Sequence, residues 1–126
     1  MANECIPLYQ PGKHLTATVA TAVTGKTFVD ISGATLNPAT GALISVAPAT
    51  AAGKVLGVAA FDAAVGAQVS VIGEGVVPIT AGAAITAGVE VEVGASGKAI
   101  TLASGKAVGR ALTTAANNAD VYVRLY

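Results

Sequence analysis

Short runs in which apolar and polar residues alternate recur from one end of this chain to the other. They cover residues 16–19, 27–31, 43–46, 55–59, 68–72, 76–80, 89–93, 99–102, 108–112 and 121–125. Side chains along a strand point to opposite faces in turn, so each run predicts a β-strand with one face in a core. In Val89-Glu90-Val91-Glu92-Val93 the pattern is clearest: the valines share the inner face, and both glutamates point outward as solvated side chains. Turn formers separate the runs. Asn37-Pro38-Ala39-Thr40-Gly41 predicts a turn, Gly94-Ala95-Ser96-Gly97 a hairpin, and the alanine-rich stretch 47–53 a loop. Residues 61–67 and 113–117 are the best helix candidates, although helices of that length depend on tertiary support. The pattern therefore predicts an all-β fold, a small single-domain β-sandwich or barrel with at most short helices.

Each lysine follows a glycine: Gly12-Lys13, Gly25-Lys26, Gly53-Lys54, Gly97-Lys98 and Gly105-Lys106. These pairs read as turn exits, with glycine at a positive φ and lysine opening the next strand with its charge in water.

Composition narrows the function. The chain has 126 residues, which favours one domain, and it is 53% hydrophobic but only 11% charged, against about 25% charged in typical domains. Seven acidic and seven basic residues cancel. A neutral chain has neither the basic field that nucleic acid requires nor a polybasic segment for anionic lipid, so neither nucleic acid nor membrane is an expected partner. Polar residues such as Asp30, Lys54, Asp62 and Glu74 interrupt every apolar stretch before it reaches spanning length. The N-terminal residues lack the basic start and apolar centre of a signal peptide. So few charges favour a protein whose surface is largely covered by neighbours.

Residues suited to catalysis are sparse. Gly25-Lys26-Thr27 resembles the end of a phosphate-binding loop, but Ala20 stands where its first glycine belongs and a strand follows in place of a helix. Pro78 breaks a dinucleotide fingerprint at Gly73-Glu74-Gly75. His14 is the sole histidine and Cys5 the sole cysteine, too few ligands for a zinc site and no basis for an intrachain disulfide. No catalytic, cofactor-binding or metal residue is expected. Lys98 near a hairpin tip resembles the modified lysine of lipoyl and biotinyl carrier domains; Ala99 fits their flanking pattern and Gly97 does not.

The N-terminal residues stand apart. Pro7 and Pro11 lack the backbone donors that a helix or a central strand needs, so residues 1–14 read as an extended arm and 15–126 as the β-rich domain. Ile6, Pro7, Leu8, Tyr9 and Gln10 form the candidate contact segment of that arm, Tyr9 being suited to a partly wet interface.

Three stretches resemble the capsid decoration, or cement, proteins of tailed bacteriophages, of the type common among phages of actinobacteria. They are MANECIPLYQPG, the central VLGVAAFDAAVGAQVSVIGEGVVPITAGAAITAGVEVEVG and the closing DVYVRLY. The resemblance implies a β-tulip-like decoration fold and a homotrimer on the outside of the mature head. It implies binding to the major capsid protein at three-fold and quasi-three-fold positions, after synthesis in the bacterial cytoplasm. It also implies no enzymatic activity and no cofactor. Besides the carrier domain, a structural fibre or adhesin-like β module would share the strand pattern.

Overall fold

The computed structural model describes residues 3–6, 8, 12–51 and 53–126. Among these, ten strands form: β1 (His14–Val19), β2 (Phe28–Ile31), β3 (Ile44–Pro48), β4 (Val55–Ala59), β5 (Gln68–Ile72), β6 (Gly75–Thr80), β7 (Glu90–Val93), β8 (Ala99–Thr101), β9 (Gly109–Ala111) and β10 (Asp120–Leu125). Every alternating run in the sequence overlaps one of them. The first five strands close a barrel in the order β1-β3-β2-β4-β5, and the last five form a sheet in the order β6-β10-β9-β7-β8.

The second set repeats the first. In the barrel β1 pairs antiparallel with β5 and parallel with β3, and β2 lies antiparallel to both β3 and β4. In the sheet β6 pairs antiparallel with β10, and β7 lies antiparallel to β8 and β9. A single parallel bridge, Ala81↔Ala99, brings β8 back to the end of β6, as β3 returns to β1. The loops agree atom for atom. Val23 and Ala63 exchange backbone hydrogen bonds of 3.0 and 3.1 Å, and Ile85 and Ala115 exchange two of 2.9 Å. Three residues beyond each of these four, the chain takes a positive φ, at Lys26 (62°), Gly66 (83°), Gly88 (95°) and Asn118 (67°). Gly57 and Gly109 occupy matching places, where a Cβ would lie 2.5 Å from the Ile72 carbonyl oxygen and 2.6 Å from that of Arg124. The first repeat carries an added excursion before β3, which turns at Asn37 through an Ala39 N–H to Asn37 Oδ1 bond of 3.0 Å.

One core cluster lies inside the barrel, around Val19, Val29, Val46, Val69 and Val71. The other lies in the second repeat but takes Phe28, Ala49 and Val58 from the first. Row by row, Phe28↔Val58 and Val58↔Ile72 run across the barrel, and this row packs into the second repeat's core. The Thr80 N–H donates to the Lys26 carbonyl (2.8 Å), and Lys26 Nζ lies 2.9 Å from Asp120 Oδ2.

Several expectations are corrected. Neither 61–67 nor 113–117 is helical: the Val23–Ala63 and Ile85–Ala115 bridges hold both stretches extended, and Gly66 and Asn118 turn the chain left-handed. Strand β3 runs on into Ala47 and Pro48, where a loop was expected; Pro48 faces β2 beyond the last β1 pairing, so its missing N–H costs no ladder bond. The glycine of each Gly-Lys pair is not uniformly the left-handed residue. Gly12 and Gly97 are, but at 25–26 it is Lys26; Gly25 is crowded instead, since a Cβ there would stand 2.9 Å from the Phe61 Cα.

Candidate functional site

A groove of about 710 Å³ opens between the repeats. Matching segments line it, Gly53–Gly57 from the first repeat and Gly105–Val108 from the second, with Ile31 and Val93 alongside. Its lining is mainly apolar, with Lys54 and Lys106, and among the described residues Glu92 is its one side-chain carboxylate. That carboxylate is committed elsewhere. Glu92 Oε2 accepts the Ala103 N–H at 2.6 Å and the Gly105 N–H at 3.0 Å, so the loop between β8 and β9 folds over it. Asp30 holds the matching place in the first repeat and accepts the Thr50 N–H at 3.2 Å. Gly53 and Gly105 are glycine because a Cβ would run into these carboxylates.

The expectation that Glu92 is solvated is therefore corrected. It lies opposite Val91 and Val93 as predicted, yet it is 9% exposed. Glu90 is half-buried and accepts a 2.7 Å bond from the Tyr126 hydroxyl. The Ala103 and Gly105 N–H donors hold the Glu92 carboxyl below its ordinary value near 4.5. A depressed folded-state value stabilises the fold above the unfolded value and ceases to do so as pH falls through the folded one. Glu92→Gln is thus expected to flatten the acid limb below about pH 4.5 and leave the neutral-to-basic profile parallel to the wild type. Thermal melts across pH 2–8 check this, and an unchanged acid limb contradicts it.

The other residues singled out in the sequence do not converge. Lys98 does not project from a tip. Its Nζ donates to Asn118 Oδ1 (2.9 Å), and Gly97 beside it sits against the Phe28 carbonyl, so the hairpin points into the protein, unlike a carrier-domain lysine. His14 lies exposed at the start of β1, and Cys5 is exposed. Among the described residues no cluster of metal-ligating residues occurs, and no helix is long and apolar enough to cross a membrane. Of the candidate arm, Ile6 is 79% and Leu8 54% exposed, while Pro7, Tyr9 and Gln10 lie outside the described residues.

What the surface does carry is apolar. On the outer face of the second repeat, Tyr122 stands directly opposite Pro78, Val76 lies on the same face of β6, and the Leu112 N–H bonds the Tyr122 carbonyl at 2.8 Å. Val76, Leu112 and Tyr122 are each about half exposed. Phe61 and Val65 are exposed in the loop between β4 and β5 of the first repeat. Large exposed apolar groups gathered in patches mark surfaces that are covered in use.

Residues 9–125 match the family model described as phage cement protein. The chain belongs to the phage cement protein family. Its role is therefore that of a structural virion component, and the family implies no enzymatic activity. No curated protein matches the chain. Among solved structures it is similar to the head fiber gp8.5 N base of bacteriophage phi29, with a TM-score of 0.73 over 90% of this chain and 92% of that one. Identity between the two is 20%, so the likeness is one of fold.

Proposed function

We propose that this cement-family protein assembles as a homotrimer on the outer surface of the phage head. There it binds the major capsid protein at three-fold and quasi-three-fold positions and stabilises the lattice. It is made in the host cytoplasm and joins the particle once the coat has expanded. The observation that carries the reading is the family match over residues 9–125. Two properties of the chain support it. A cement protein requires surface for neighbours rather than a reactive centre, and large apolar side chains such as Phe61, Val65, Val76 and Tyr122 lie exposed here. Abundant Ala, Val and Gly also limit the side-chain entropy lost when such surfaces are ordered.

In this reading residues 1–14 are an arm on a domain of 15–126, and Ile6, Pro7, Leu8, Tyr9 and Gln10 are its contact with the coat. Ile6 and Leu8 lie exposed, as a segment awaiting a partner requires. An extended segment can add main-chain hydrogen bonds to an open sheet edge while Tyr9 fills a pocket. Deleting residues 2–10 tests the arm. The truncated protein is expected to keep its melting temperature and its trimer mass and to lose co-sedimentation with expanded, undecorated heads. Retained binding contradicts the arm as anchor, and loss of the trimer assigns it to subunit packing instead.

A further inference from the structure

The internal repeat supplies a comparison that a single domain lacks: each exposed patch can be set against the matching surface of the other repeat. Register equates Val76, Pro78 and Tyr122 of the second repeat with His14, Thr16 and Ser70 of the first. The bonds Leu112 N–H to Tyr122 carbonyl and Ala60 N–H to Ser70 carbonyl equate Leu112 with Ala60. The outer face is thus apolar in the second repeat and mainly polar in the first. At the loop the asymmetry reverses. The Ala63 and Ala115 bridges equate Phe61 with Thr113 and Val65 with Asn117, so the loop is apolar in the first repeat and polar in the second.

We propose that these two patches bind each other between copies: the Phe61–Val65 loop of one subunit seats on the Val76, Leu112 and Tyr122 face of the next. A head-to-tail contact needs two different surfaces, and a ring closes when its rotation divides the circle evenly. Each repeat carries one of the two surfaces and lacks the other. Charge also matches. Asp62 lies within the loop, its Oδ1 bonded to the Gly25 N–H (2.8 Å). The face is bordered by Arg110 and Arg124, directly opposed across β9 and β10; Glu90 stands opposite Arg110, and Asp120 on the same face of β10 is paired with Lys26. Arg110 donates to the Gly88 carbonyl, and the Arg124 side chain has no partner among the described residues. Asp62 of the loop meeting the unpaired Arg124 adds orientation and encounter rate to the apolar contact. Tyr122, an aromatic with a polar tip at the centre of the face, suits the anchor position.

This contact rests on the self-association proposed above. The test uses two full-length variants, Val65→Asp and Leu112→Asp, at positions 67% and 48% exposed in the subunit, so neither disturbs a core. Each variant alone is expected to fall to monomer mass by light scattering at micromolar concentration, with unchanged circular dichroism. Mixed one to one, they should form a heterodimer, because the intact face of the first accepts the intact loop of the second. A wild-type trimer whose mass neither substitution moves overturns this contact and leaves the trimer standing. A wild-type monomer overturns both. Two monomeric variants that fail to pair when mixed overturn the head-to-tail geometry. If either aspartate variant misfolds, Val65→Cys with Tyr122→Cys in a Cys5→Ser background replaces it: oxidised chains linked into closed trimers support the contact, and unlinked chains contradict it.

Discussion

Phe28→Ala is expected to destabilise the protein by about 3–5 kcal/mol, the usual cost of truncating a buried aromatic, and to lower its melting temperature by roughly 10–20 °C at this chain length. Phe28 is 1% exposed and belongs by sequence to the first repeat, but it packs in the core cluster of the second. Its backbone is pinned as well, the carbonyl accepting the Ala49 N–H at 3.0 Å. The neighbouring hairpin at Gly97 lies too close to that backbone to shift inward and fill the space. A cavity here therefore lies between the repeats and weakens both. Thermal unfolding followed by circular dichroism and by calorimetry gives the size of the loss. Leu36, in the excursion before β3 and outside the proposed subunit contact, is the control: it is 44% exposed, and Leu36→Ala should change stability by no more than about 0.5 kcal/mol. Equal losses from the two substitutions would contradict the placement of Phe28 as the join.

Gly57→Ala and Gly109→Ala are expected to cost similar amounts, each at or above the upper end of the roughly 1–3 kcal/mol typical of overpacking. The reason is the neighbour. The added carbon would meet main-chain carbonyl oxygens, those of Ile72 and Arg124, which cannot move aside, as well as a methyl of the buried Val71 or Val123. Relief would require β4 to part from β5, or β9 from β10, where Val58↔Ile72 and Arg110↔Arg124 are paired. Gly73→Ala is the comparison. Its nearest contact would be 3.9 Å away at an ordinary φ, so the substitution should be neutral or stabilise by about 0.4–1 kcal/mol through the unfolded chain. Denaturant melts of the three variants order these costs, and a harmless Gly57→Ala or Gly109→Ala would contradict the close strand approach.

The strands were legible because period-two alternation is a local signal, and the all-β architecture followed from it. The duplication was written in the sequence but less plainly. Gly53-Lys54, Gly57, Ala63-Ala64, Ala67, Val69 and Val71 recur as Gly105-Lys106, Gly109, Ala115-Ala116, Ala119, Val121 and Val123. Residues this common carry little information singly, and the longer excursion before β3 puts the first half of each repeat out of step with the second. Glu92 was misread for a different reason. Alternation fixes the face a side chain takes, but not whether a distant loop covers that face; the covering groups are backbone N–H donors, which leave no mark on side-chain pattern. The false helices at 61–67 and 113–117 show tertiary bridges overriding alanine's propensity. The apolar patches could not be told from core positions in the sequence, since only the fold separates Tyr122 from Val121 and Val123.

The central claim is that this chain is a trimeric cement on the outer capsid lattice, and imaging expanded, undecorated heads mixed with the purified protein tests it most directly. The account predicts new density outside the shell, centred on three-fold and quasi-three-fold positions, with three copies of the ten-stranded subunit in each. Heads that remain bare at saturating protein, or density at other symmetry positions with another copy number, would contradict it.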